Sequence, residues 1–155
     1  MGRINVVLIN PEIPQNTGNI SRTCAVTGAA LHIVRPTGFE ISDRTLKRAG
    51  LDYWDKLDLT YYDSKEEFLE KHAGEKMYFF TSHTENRLDG ADLTGDVFLI
   101  FGRESVGLDP ELLAEHRAQT LRIPMIEGVR CLNLSNAVAV AVYEAERQNG
   151  YFGLV

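Results

Sequence analysis

The chain has 155 residues, 44% hydrophobic and 25% charged, with two cysteines and a formal net charge of −6. This size and balance fit one soluble globular domain, residues 1–155, with a real hydrophobic core. No apolar run approaches the ~20 residues of a membrane span, the N-terminus lacks the basic-then-apolar layout of a secretory signal, and Cys24 and Cys131, far apart and in no C-x-x-C arrangement, argue against a disulfide framework or structural zinc and for a reducing cytoplasm.

Ile4 to Ile9 is a short β-branched run bounded by Asn10-Pro11 and is expected to be a buried first strand. Pro11 and Pro14 hold Asn10 to Gln15 as a loop. Asn16 then caps a helix through about Thr27, with Ile20 and Cys24 inward and Gly28 as its stop. Asn16, Asn19 and Arg22 fall at successive i, i+3 positions, so three polar groups share one face. Leu31 to Val34 is the second strand, ending in Arg35-Pro36 and a turn at Gly38. Ser42 caps a short basic helix through Ala49, closed by Gly50. The Tyr53-Trp54 pair is read as a partly buried aromatic anchor, with base stacking as the alternative.

Leu57 to Tyr61 alternates like a strand, and Ser64-Lys-Glu-Glu67 is a capping-box pattern for a helix through about His72. Met77 to Phe80 and Val97 to Phe101 are buried strands, with a polar surface loop from His83 to Asp96 between them. Asp109-Pro110 opens a helix through about His116. Leu121 to Ile123 ends a strand at Pro124, and a loop through Gly128 follows. The last helix is capped by Ser135 or Asn133 and runs toward Gly150. Its Ala/Val alternation is apolar nearly all round over three turns, which predicts burial between layers. Strand and helix alternate throughout, so the expected class is a three-layer α/β domain on a mainly parallel sheet.

Charge is segregated along the chain. Residues 1–50 carry six basic side chains against three acidic ones, residues 51–101 five against twelve, and residues 102–155 five against seven. A basic N-terminal third on an acidic body permits a local phosphate-binding face despite the net negative charge. Gly102 and Gly107 have the four-residue gap of a P-loop, but Leu108-Asp109 stands where Lys and Ser or Thr are required. No G-x-G-x-x-G follows the first strand, and no H-E-x-x-H or G-x-S-x-G occurs. P-loop, dinucleotide, zinc-protease and serine-hydrolase chemistry are therefore unsupported. The four histidines read as structural or exposed, and both thiols as small core residues.

Taken together, Asn16-x-x-Asn19-x-x-Arg22, Phe101-Gly-x-Glu104-x-x-Gly107 and Ile123-Pro124 followed by Leu132-Asn133-Leu-Ser135-Asn136-Ala resemble the three motifs of the SPOUT superfamily of RNA methyltransferases. Pro11 to Asn19, Ala49 to Tyr53 and Val142 to Ala145 narrow the resemblance to the small single-domain tRNA 2′-O-methyltransferases that modify the wobble ribose, cytidine or modified uridine 34. It implies a homodimer that uses S-adenosylmethionine in tRNA processing, and a C-terminal trefoil knot; no metal is expected, from the scattered histidines. The matching cofactor positions are Phe80, Gly102, Ile123 and Cys131, with Leu132 and Asn133 adjacent. Cys131 stands where relatives commonly carry Ser, and a thiol is a weaker hydrogen-bond partner than a hydroxyl.

The resemblance also implies the catalytic set Arg22, Asn19, Ser135 and Glu104. A guanidinium is effectively always protonated in proteins, so Arg22 is better suited to grip a phosphate and polarise the 2′-OH than to act as base. Asn19 or Ser135 would orient the hydroxyl, and phosphate oxygen or water would take its proton. Glu104 either fixes its loop or faces the sulfonium. Arg22, Arg35, Arg44, Lys47 and Arg48 are the expected RNA contacts. The alternatives are a noncatalytic RNA-binding or assembly factor on the same fold, and a flavodoxin-like nucleotide binder.

Overall fold

The computed structural model describes residues 2–40 and 54–155. Within them, β1 (Ile4–Ile9), β2 (Ala30–Val34), β3 (Leu59–Tyr62), β4 (Met77–Phe80), β5 (Val97–Phe101) and β6 (Thr120–Leu121) form one sheet in the order β3-β2-β1-β5-β4-β6. Every pairing is parallel. The helices are α1 (Pro14–Thr27), α2 (Lys65–Lys71), α3 (Pro110–Glu115) and α4 (Leu134–Gln148).

β1 and β5 are buried along their whole length, because a parallel sheet covered on both faces needs apolar side chains at every position. Their side chains alternate between two cores. Val6 and Leu8 join Ile20 and Cys24 of α1 and Val138, Ala141, Val142 and Ala145 of α4. Val7 and Ile9 join Phe68 of α2 and Leu112 of α3 on the other face. The three-layer α/β expectation holds.

Strand order reverses at β1, with β2 and β3 on one side and β5 and β4 on the other. In open parallel sheets the crevice outside the strand carboxyl ends at such a switch point is where ligands bind. The segments leaving β1 and β5 both open there.

Several boundaries differ from expectation. The first helix begins at Pro14, with Ile13 at its N-cap position, so Asn16 lies inside the first turn and caps nothing. Proline at the first helical position carries no N–H to lose, and that preference prevails over Asn16. β3 starts two residues later and ends one residue later than the alternation suggested. The polar stretch 83–96 includes a short 3-10 turn at Leu88–Gly90 and buries Leu88 and Leu93. The final helix is not apolar all round in its setting: Val138, Ala141, Val142 and Ala145 are buried, while Val140 is 44% and Tyr143 46% exposed. Ala/Val alternation hides which side of a helix faces inward. The expected Ser42–Ala49 helix and the side chains of Tyr53 and Trp54 lie outside the described residues.

A buried polar chain crosses the α2 side of the sheet. Asn5 Nδ2 donates to the carbonyls of Arg3 and Val97, which leaves Oδ1 to accept from His32 Nε2 at 3.0 Å. The other ring nitrogen, Nδ1, accepts from the Tyr62 hydroxyl at 2.9 Å, and the Tyr62 oxygen faces His72 Nε2 at 2.9 Å. Burial, then the neighbouring His72, pushes His32 down to about 4. The unfolded chain therefore binds this proton more readily than the folded one. The stability involved is fully present above the ordinary histidine value of 6.5 and is lost as pH falls toward 4. Urea unfolding should show a loss of roughly 2 kcal/mol between pH 7 and pH 5 from this residue. His32→Leu should flatten that slope, and the His32 ring should titrate near 4 by NMR.

Candidate active site

The N-terminus of α1 is held by a residue far away in sequence. Ile13 offers no side-chain cap, and the main-chain N–H groups of Glu12 and Ile13 instead donate to the Glu104 carboxylate at 2.9 and 2.6 Å. Asn16 Nδ2 adds a third donor at 3.3 Å. An anion here also complements the helix dipole. The contact is reciprocal: Glu12 Oε1 accepts from the Ser105 N–H at 2.9 Å and the Ser105 hydroxyl at 2.7 Å. The Ser105 hydroxyl, ahead of its amide, holds the Glu12 carboxyl below the usual carboxylate range. Of the two roles open for Glu104, the geometry is that of fixing the loop.

Residues 102–107 form a narrow hairpin closed by main-chain bonds between Arg103 and Gly107, 2.8 and 3.3 Å long. A Cβ on Gly102 would lie 2.2 Å from the Gly107 carbonyl carbon and 2.3 Å from Leu108 N, so no other residue fits without displacing main chain. Gly107 has φ +73°, in the left-handed region that glycine enters without steric cost. Asp109 occupies the N-cap position of α3 as expected, yet its side chain makes no cap bond. It pairs instead with Lys65 and, at 3.5 Å, with Arg103.

The third loop joins the same junction. Asn133, not Ser135, caps α4: its Oδ1 accepts from the N–H groups of Ser135 and Asn136, and from the Ser135 hydroxyl at 2.6 Å. Its Nδ2 donates to Asn16 Oδ1 at 3.1 Å. A continuous chain, Glu104 to Asn16 to Asn133 to Ser135, therefore ties the three loops at the carboxyl edge of the sheet. Between Arg122 and Asn133, residues 123–132 make no main-chain hydrogen bond to another described segment. Ile126, Val129 and Leu132 of this loop are nevertheless exposed, Ile126 by 79%. Main chain not bonded to other described segments, beside exposed apolar side chains, suits a ligand with both polar and apolar parts.

Each expected site residue can now be placed. Phe80, at the end of β4, stacks on Phe101 at 4.4 Å, and Gly102 follows directly in chain. Ile123 is half-buried against the core, whereas Leu132 and Cys131 are exposed. The exposure of Cys131 corrects its reading as a core thiol; Cys24 is buried, and burial pushes it up to about 12. Asn19 and Arg22 are exposed on α1. Arg35 is exposed at the end of β2, while Arg44, Lys47 and Arg48 lie outside the described residues. Sequence reasoning missed Glu12 and Ser105, whose pairing has no local spacing signal.

The SpoU rRNA Methylase family matches residues 3–143. The chain belongs to that family. Among its members, a tRNA (cytidine(34)-2'-O)-methyltransferase of Escherichia coli is 44% identical over 153 residues, covering 98% of each chain. A solved structure concerned with 2-OH methylation of C/U34 on tRNA shares 49% identity at a TM-score of 0.89, covering 95% of this chain and 96% of that one. An AdoMet-bound rRNA methyltransferase from Sinorhizobium meliloti superposes at a TM-score of 0.82 with 27% identity, over 94% of this chain and 56% of that one. The three tied loops carry residues of the three segments on which the resemblance rests, Asn16, Glu104 and Asn133 among them.

Glu104→Ala leaves two main-chain N–H groups and one amide without their acceptor, and should cost about 2 kcal/mol of stability by urea unfolding. Gly102→Ala should displace the Gly107–Leu108 main chain and weaken S-adenosylmethionine binding by roughly tenfold or more, read by calorimetry.

Proposed function

We propose that this SpoU methylase transfers a methyl group from S-adenosylmethionine to the ribose 2′-OH of the wobble nucleotide, cytidine or modified uridine 34, of tRNA. The observation that carries this reading is the junction of Glu104, Asn16 and Asn133, which brings the three motif loops to one crevice beside the helix bearing Asn19 and Arg22. The relatives named for this reaction, at 44–49% identity over nearly the whole chain, support it.

The residues present fit the cofactor. The pinched hairpin at Gly102 and the loop 123–132, whose main chain makes no bond to another described segment and whose apolar side chains are exposed, offer both kinds of contact that the molecule needs. Phe80, Gly102, Ile123, Cys131, Leu132 and Asn133 would hold it, Cys131 through main chain more than thiol. When bound, S-adenosylmethionine supplies an electrophilic methyl group on a sulfonium. The protein's own task is to orient the ribose, and orientation of this kind is worth about 7–11 kcal/mol of a barrier.

Arg22 grips a backbone phosphate and polarises the 2′-OH. The Ser135 hydroxyl is already donated to Asn133, so Asn19, exposed one turn before Arg22, is the better placed of the two orienting candidates. Glu104 already accepts from three donors and acts by position. The hydroxyl proton goes to phosphate oxygen or water. RNA crosses the basic N-terminal third, with Arg35, Arg44, Lys47 and Arg48 as further contacts.

The same reading includes one domain over residues 1–155, a trefoil knot in the C-terminal part, cytoplasmic location and a homodimer. No described helix is long and apolar enough to cross a membrane, and no His, Cys, Asp or Glu cluster among the described residues could hold a metal. Exposed Val26 on α1 and Val140 and Tyr143 on α4 form apolar surface that a second copy would cover. Pairing also pools two basic edges on a protein whose net charge is negative.

Arg22→Ala should abolish methyl transfer to an anticodon stem-loop while S-adenosylmethionine affinity stays within about twofold of wild type. It should also flatten the log–log dependence of tRNA affinity on salt by about one unit. Loss of cofactor binding in this variant would overturn the assignment of Arg22.

A further inference from the structure

At the carboxyl ends of β2 and β3 lies an open cavity of about 570 Å³, lined by Arg35, Pro36, Thr37, Phe39, Glu40 and Asp63. We infer that this cavity is a subsite for an RNA nucleotide adjoining the methylated one, with its phosphate on Arg35, its base on Phe39 and an exocyclic amino group toward Glu40 and Asp63. The inference rests on the tRNA methyl-transfer reading and names how a neighbouring nucleotide is held.

Three features carry it. The first is a poised cation. The Arg35 guanidinium lies 4.6 Å over the Tyr61 ring, and its Nη1 stands 3.4 Å from Asp63 Oδ1. Stacking fixes the plane of the fork, while the partner carboxylate is 86% exposed. A surface ion pair of this kind is weak and readily exchanged. A phosphate can therefore take the fork from Asp63, which frees that carboxylate as an acceptor.

The second is the chemistry of the lining. Pro36 and Phe39 give an apolar wall on which a base can stack, and stacking tolerates any base because each has a π face. Glu40 and Asp63 accept hydrogen bonds and offer no donor when ionised. They repel a free polyanion and favour the amino groups of adenine, cytosine or guanine over the carbonyl edge of uracil. The volume falls in the range of small-molecule sites.

The third is location. The Thr37 hydroxyl donates to the Phe39 carbonyl, which holds the turn. Gly38 N–H donates to the Pro11 carbonyl at 2.9 Å, and a Cβ on Gly38 would lie 2.9 Å from Glu12 Cα. The turn carrying Phe39 is thus seated directly on the segment that Glu104 and Ser105 clasp. A nucleotide in the cavity is placed relative to the motif loops through two rigid contacts.

The test is binding of anticodon stem-loops by fluorescence anisotropy, comparing an intact loop with loops abasic at either nucleotide adjoining the methylated one. The wild-type protein should lose about tenfold in affinity for one of the two abasic loops. Phe39→Ala should bind intact and abasic loops equally, Phe39→Tyr should restore the discrimination, and S-adenosylmethionine affinity should be unchanged in both. Replacing the base at the sensitive position by uracil should weaken wild-type binding severalfold. Equal wild-type affinity for all loops, or discrimination that survives in Phe39→Ala, overturns the subsite while leaving the methyl-transfer reading intact. Retained discrimination with no methyl transferred to the same loops overturns the catalytic reading alone.

Discussion

The Glu104 carboxylate is the contact on which the active-site end depends. It sits on a hairpin that leaves β5 and accepts both main-chain N–H groups of the turn that leaves β1. Ile13 offers no side-chain acceptor at the start of α1, so the acceptor comes from the hairpin that follows β5. Glu12 and Ser105 return the contact in the opposite sense, and the two loops fix one another. Donors satisfied by a distant carboxylate lock the relative position of the segments more tightly than two separately capped helices would.

The sheet order explains why this junction forms at the carboxyl ends of β1 and β5. β1 and β5 are neighbours at the point where strand order reverses, so their following loops open from adjacent strands to opposite sides. α1 and α4 then pack over the same face through Ile20, Cys24, Val138 and Val142, which brings Asn133 to Asn16. Paired strands hold the first residues of each loop, while residues 123–132 make no main-chain hydrogen bond to another described segment.

Much of the scaffold was legible in the chain. The apolar runs of β1, β2, β4 and β5 are short, continuous and ended by Pro, Gly or polar residues, and a buried parallel strand requires that pattern. Ser64 accepts from Glu67 N as its spacing promised, although Glu67 turns to the Asp63 N–H in place of the cap residue. What could not be read depends on distant partners. Asn16 looks like a cap because caps are local, and nothing local announces that its amide will bridge Glu104 and Asn133, 88 and 117 residues on. The His32–Tyr62–His72 chain was equally hidden, since each member alone is an ordinary histidine or tyrosine. The motifs themselves became readable only when all three were taken together.

The pairing of Ile4 with Val97 has a consequence for how the molecule is made. The middle of the sheet joins two strands more than ninety residues apart in sequence, and parallel contacts of such separation close slowly. While the ribosome is still delivering the intervening segment, β1 can pair only with β2, and its other edge stays bare. Until β5 is made, that edge of β1 presents unpaired backbone N–H and C=O groups beside apolar side chains, the arrangement most open to pairing with another chain.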